Sequence, residues 1–99
     1  MNEPTKIEPS DVHGKLKELT GWKPEQKGRV ISREFTFSNF HETIAFVNAL
    51  AWVAHSMDHH PDLQVGYKTC VATYTTHSAD GLTSLDIEAA RRLNDLISS

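Results

Sequence analysis

Ninety-nine residues, 38% of them hydrophobic and two of them tryptophan, are enough for one modest core, so a single domain is expected. The formal net charge is −3 and the basic residues are scattered, with Arg91-Arg92 the only adjacent pair, which argues against nucleic acid as the main ligand. The lone cysteine, Cys70, cannot close an internal disulfide, and no apolar run reaches membrane-spanning length, so a cytoplasmic address is expected.

Residues 1–9 contain two prolines and alternating charges and read as a flexible lead-in. Ser10 is a good N-cap, and Val12, Leu16 and Leu19 recur at helical spacing before Gly21, which predicts a helix over about 10–19. Trp22-Lys23 can begin a strand, which Pro24 confines to a sheet edge or an end. Glu25-Gln26-Lys27-Gly28 reads as a hairpin turn. From Arg29 to Phe37 the pattern alternates, with Ile31, Phe35 and Phe37 on one face. Arg33 interrupts that face, but its long stem can cover apolar surface while the head reaches water.

Asn39 followed by Glu42 resembles a capping box and opens the longest helix, about 40–58. Its expected buried stripe runs through Phe40, Ile44, Val47, Ala51 and Ala54, flanked by Leu50 and Met57. Pro61 disfavours helical geometry at His60, so the helix should stop near His59. Leu63, Val65 and Tyr67 alternate as a short strand, with Gly66 suggesting a bulge or close approach. Thr69 to Thr76 is a strong strand, and the two runs are either one bent strand or two pieces. Ser78-Ala79-Asp80-Gly81 is a turn, and Thr83 with Asp86 caps the last helix, with Leu82 and Ile87 placed as a hydrophobic staple. The buried stripe there should be Ile87, Ala90, Leu93 and Ile97. This order favours an antiparallel sheet with helices on one face, an α+β architecture.

Four of the six histidines fall between His55 and His77. Imidazole titrates near neutral pH, so a cluster of histidines with a carboxylate suits proton transfer. His55 and His59 are four apart on one helix and should share a face. His59 and His60 stand where the chain leaves helical geometry, so both could reach one pocket. His77 closes the strand beside a turn, where a side chain can reach a cleft mouth. His13, His41 and His55 read as surface histidines. Asp86 is explained as a cap, and could also orient an imidazole. Tyr67 reads as core or pocket wall, and Cys70 as a buried small hydrophobe. A zinc site built on these histidines ranks second: there is no His-Glu-x-x-His pattern and no cysteine pair, and adjacent histidines suit one tetrahedral ion poorly.

The set His55, His59-His60-Pro61, Tyr67, His77 and Asp86, with Asp58, Thr76 and the run Gly81-Leu82-Thr83, resembles the pterin-4a-carbinolamine dehydratases. The likeness runs from about Phe35 to Ile97, with Gly21-Trp22 resembling the join after the family's first helix. Three positions depart from the pattern: His55 stands where an acid is common, Leu63 where an aromatic is, and Lys68 where asparagine is.

The resemblance implies a four-stranded antiparallel sheet with three helices on one face, assembled as a dimer or tetramer. It implies dehydration of 4a-hydroxytetrahydrobiopterin to quinonoid dihydrobiopterin without metal or cofactor. His59 and His77 would then do acid and base work, His60 would orient the pterin, and Asp86 would hold an imidazole. Asp58, Pro61, Tyr67 and Thr76 would complete the pocket. The same fold also serves as a protein-binding dimerisation cofactor, and a third outlet is molybdopterin metabolism.

Overall fold

The computed structural model describes residues 4–97. A 3₁₀ turn, Pro9–Asp11, leads into α1 (Val12–Lys15). Then come β1 (Lys23–Glu25), β2 (Val30–Thr36), α2 (Phe40–Met57), β3 (Asp62–Val65), β4 (Thr69–Tyr74) and α3 (Ser84–Ile97). The sheet order is β1-β2-β4-β3, and every neighbouring pair is antiparallel. It is the expected four-stranded sheet with three helices. Ile31, Phe35, Cys70, Ala72 and Tyr74 face the helices and join Leu50, Leu82, Ala90 and Leu93 in one core.

Period 2 explains the sheet's two faces. Register pairs Ile31 with Tyr74 and Arg33 with Ala72 on the helix side, and Ser32 with Thr73 on the other. That other face is polar, carrying Ser32, Glu34, Thr36, Thr73 and Asp62. Pro24 sits in the edge strand β1, where its missing N–H breaks no inner ladder. The β1–β2 hairpin turns through three consecutive left-handed residues, Gln26, Lys27 and Gly28, at φ 51°, 59° and 83°.

The expected first helix is shorter than its apolar spacing. It ends at Lys15, and the chain then tightens, with the Leu19 amide donating to the Leu16 carbonyl. Gly14 lies inside it and weakens propagation. Val12, Leu16 and Leu19 are nonetheless all buried. The lead-in is docked from Thr5 on: Lys6 bridges to Thr83, and Ile7 is buried.

Two stripes match expectation in part: Leu50, Ala54, Ala90 and Leu93 are buried, and Val47, Met57 and Ile87 pack half-buried against the core. In α2 the buried residues are Thr43, Phe46, Leu50, Val53 and Ala54, while Phe40 is 48% exposed and Ala51 lies outside. This helix is apolar on more than one side, so period alone could not choose the inner one. Thr43 is drawn in because its hydroxyl reaches the carbonyls of Asn39 and Tyr67. In α3 the core takes Asp86, Ala89, Ala90 and Leu93, and Ile97 is exposed. The two apolar runs after Pro61 form a hairpin, β3 and β4. Gly66 belongs to its turn, its amide donating to the Thr69 carbonyl at 2.8 Å.

A polar clamp joins the segment between α1 and β1 to β2 and α3. Arg33 Nη1 donates to the Thr20 carbonyl at 2.7 Å and to Asn94 Oδ1 at 2.6 Å, and Trp22 Nε1 donates to the same oxygen at 2.8 Å. The Arg33 guanidinium lies over the Phe35 ring, so its stem covers apolar surface as expected. Gly21 has φ +86°, and a Cβ there would stand 2.5 Å from Arg33 Nε. Gly21→Ala should therefore cost about 1–3 kcal/mol by forcing a left-handed alanine against a pinned arginine. Urea unfolding would measure this, and an unchanged midpoint would contradict it.

Candidate active site

The end of α2 sets the site. The Asn39 side chain accepts from the Glu42 amide at 2.8 Å at the helix start, and Glu42 Oε1 accepts from the Ser38 amide at 3.0 Å. At the other end Asp58 adopts φ 50°. Its amide donates to the His55 carbonyl and the His59 amide donates to the Ala54 carbonyl, a Schellman closure. The helix thus stops one turn position before Pro61 could stop it. This left-handed step carries His59 off the helix, so His55 and His59 do not share a face. His55 stays exposed beside Trp52, their rings 6.2 Å apart.

His59 turns inward. Its ring stacks on Tyr74, with centroids 5.2 Å apart, and its Nε2 meets Asp86 Oδ1 at 2.6 Å. The side chains are 10% and 0% exposed. Asp86 Oδ2 accepts from the Thr83 amide at 2.9 Å and from the Thr76 hydroxyl at 2.7 Å. The capping box and the imidazole partner are therefore one carboxylate using both oxygens. The Thr76 proton goes to Asp86, so the 2.8 Å contact between the threonine hydroxyls has Thr83 donating to Thr76. Thr83 Oγ1 accepts in turn from the Leu85 amide at 3.2 Å.

Facing a carboxylate oxygen that accepts, neutral His59 carries its proton on Nε2, which leaves Nδ1 as the ring's acceptor. The Tyr74 hydroxyl donates to the His59 carbonyl at 3.3 Å. Burial and the nearby Asp86 charge push the Tyr74 phenol up to about 12, so it remains a donor across the neutral range.

His77 lies elsewhere. It opens the 3₁₀ turn His77–Ala79 and is exposed. It lines a cleft of ≈ 300 Å³ on the polar side of the sheet, with Arg29, Asp62, Thr73, Thr75 and Asp80. Chain parity explains the separation: Thr76 faces the helices and Asp86, so its neighbour His77 faces the other way. His60 is exposed, whereas the side chain of the adjacent His59 is only 10% exposed.

Asp58 is exposed and shapes the turn, and Pro61 is half-buried after it. Thr76 is buried against Asp86 as described. Tyr67 is not with this group. It sits in the β3–β4 turn, 68% exposed, stacked on Phe40 with centroids 5.9 Å apart. That turn is at the opposite end of β4 from Thr76, so Tyr67 is not a wall of this cleft. Cys70 is fully buried, and burial pushes its thiol up. Among the described residues no three His, Cys, Asp or Glu side chains are grouped to hold a metal ion. No helix of the described residues is long and apolar enough to cross a membrane. Thr73 and Thr75 share His77's parity along the strand and are legible from sequence, whereas Asp62 was not singled out, because its place opposite Thr73 needs the register.

The family profile described as pterin 4 alpha carbinolamine dehydratase matches residues 5–96. The chain belongs to that family. Among similar dehydratase-family proteins, one from Nitrosospira multiformis is 44% identical over 81 residues, covering 82% of this chain and 70% of its own. One from Nitrosomonas eutropha is 47% identical over 85 residues, covering 85% and 74%. Both are provisionally named pterin-4-alpha-carbinolamine dehydratases. A crystal structure from Brucella melitensis, described as a transcriptional coactivator/pterin dehydratase, superposes with a TM-score of 0.89 at 32% identity, covering 95% of this chain and 100% of that one. A pterin dehydratase-like protein described as a RuBisCO assembly factor in the alpha-carboxysome shares the fold, with a TM-score of 0.69 at 22% identity, covering 80% and 92%.

Proposed function

We propose that this chain dehydrates 4a-hydroxytetrahydrobiopterin, or a close pterin, to the quinonoid dihydropterin, in tetrahydrobiopterin recycling. The observation that carries the reading is the buried His59–Asp86 pair at 2.6 Å, tied by hydrogen bond to Thr76, the residue before His77 at the cleft. The chemistry asks for two proton movements. The 4a-hydroxyl takes a proton and departs as water, and N5–H gives one up as the C4a–N5 double bond forms. Nothing is oxidised or reduced, and no metal or organic cofactor enters.

His59 and His77 serve as the acid and base, with either direction open to them. Asp86 acts on His59 by fixing its tautomer. The exposed His60 orients the pterin, with Asp58 and Pro61 shaping the backbone that presents it. The setting is cytoplasmic. The protein acts as a homodimer or homotetramer, and exposed Trp52, Phe40 and Val65 support a contact between copies.

The test is absorbance-followed dehydration of freshly generated 4a-hydroxytetrahydropterin, with and without a chelator. Acceleration over the spontaneous rate, unchanged by the chelator, is expected. Folded protein that gives none would turn the reading toward a protein-binding module; one similar structure is described as a transcriptional coactivator/pterin dehydratase.

A further inference from the structure

We infer that Asp62 is the residue that reads the pyrimidine edge of the pterin ring, and so sets selectivity for a 2-amino-4-oxo heterocycle. The inference rests on the proposed function and deepens it.

The His77 cleft, at ≈ 300 Å³, is of the size that holds a small bicyclic ring. One end carries His77. Asp62 is paired with Thr73, four residues before His77, or ~13 Å of extended chain. Side chains reaching inward from both ends leave a gap that a fused bicycle spans. The pyrimidine half of a pterin presents N3–H and the 2-amino group as two parallel donors. A carboxylate is their complement, accepting two nearly parallel bonds as it does from a guanidinium.

The cleft holds two carboxylates, Asp62 and Asp80. Asp62 is the better placed. It stands on a strand fixed by the β4 ladder, and rigid elements hold a binding group more tightly than turns do. Asp80 sits in a left-handed turn at φ 53° and also lines a second cavity toward Lys6 and Pro9. Among the described residues no cation forms an ion pair with Asp62. Its carboxylate is therefore available to a ligand.

The experiment compares Asp62→Asn and Asp80→Asn with the unaltered protein. The probes are 7,8-dihydropterin and its 2-oxo counterpart, 7,8-dihydrolumazine, titrated by fluorescence. An asparagine offers one acceptor and one donor, which matches N3–H beside a 2-oxo group. Asp62→Asn should weaken dihydropterin at least 10-fold and shift the lumazine-to-pterin preference at least 10-fold toward lumazine. Asp80→Asn should leave that preference unchanged. In turnover, Asp62→Asn should raise KM far more than it lowers kcat.

An unchanged preference in Asp62→Asn overturns the inference, as does the same switch appearing in Asp80→Asn, or failure of the unaltered protein to bind dihydropterin. Binding that switches as expected, in a protein that never turns over the carbinolamine, would overturn the dehydratase reading and leave Asp62 as the pterin reader.

Discussion

His77→Ala is expected to lower turnover of 4a-hydroxytetrahydropterin by roughly 10²–10⁴-fold, the share a positioned proton-transfer group supplies. The fold should not suffer. His77 is exposed and opens a one-turn 3₁₀ segment, and that turn is held by backbone bonds, the Ala79 amide to the Thr76 carbonyl and the Asp80 amide to the His77 carbonyl. Surface substitutions of this kind change stability by about 0.5 kcal/mol or less. The variant therefore separates chemistry from folding. Single-turnover dehydration, beside a thermal melt and a sizing column, would measure both. Full turnover in a protein that melts normally would remove His77 from the mechanism.

Asp86→Ala should behave in the opposite way, acting on stability and activity together. The carboxylate is fully buried and receives His59 Nε2, the Thr76 hydroxyl and the Thr83 amide. Alanine leaves three donors without an acceptor and opens the helix cap. Removing one member of a buried hydrogen-bonded pair costs about 3–5 kcal/mol. A domain of this size loses roughly 4–8 °C of Tm per kcal/mol, so calorimetry should show a drop of more than about 10 °C. Asp86→Asn keeps the shape and one acceptor and should lose less stability. Its amide N–H, turned to His59, would force the opposite imidazole tautomer. Activity in Asp86→Asn should then fall much further than its Tm does. Equal, small losses in both variants would show that Asp86 is a cap and nothing else.

The pairing of these two predictions reflects how the site is built. On the proposed mechanism, Asp86 is where folding and chemistry share an atom set, because the N3 position of a capped helix is also the partner of an inward histidine. His77 is on the far side of the same strand end, where loss of a side chain opens no hole. On that reading Asp86 holds His59 from the buried side, and His77 acts from the accessible one.

Local signals in the chain specified a good deal. Asn39 and Thr83 fixed the starts of α2 and α3, because a side-chain acceptor there satisfies an amide that the helix cannot. Alternation from Arg29 to Phe37 placed Ile31 and Phe35 inside, and Pro24 placed β1 at an edge. The His59-His60-Pro61, His77 and Asp86 set pointed to the family by resemblance, and the family match agrees.

Other features were beyond local reading. The inner side of α2 was decided by what packs on it, since Phe40, Ile44 and Ala51 are as apolar as the residues chosen instead. Whether the runs around Gly66 made one strand or two depended on pairing with β4, which no short window contains. The left-handed turn at Asp58 moved His59 off its helix, so an i, i+4 argument failed at the residue where it mattered. The division of Thr76 from His77, one buried against Asp86 and the other exposed at the cleft, followed from strand parity once the register was set. Sequence by itself determined which elements form and which side chains are present, because capping, periodicity and turn chemistry act over a few residues. Tertiary structure alone decided which of those side chains meet, because burial and register are set by contacts between residues far apart in the chain, as Asp86 and His59 are.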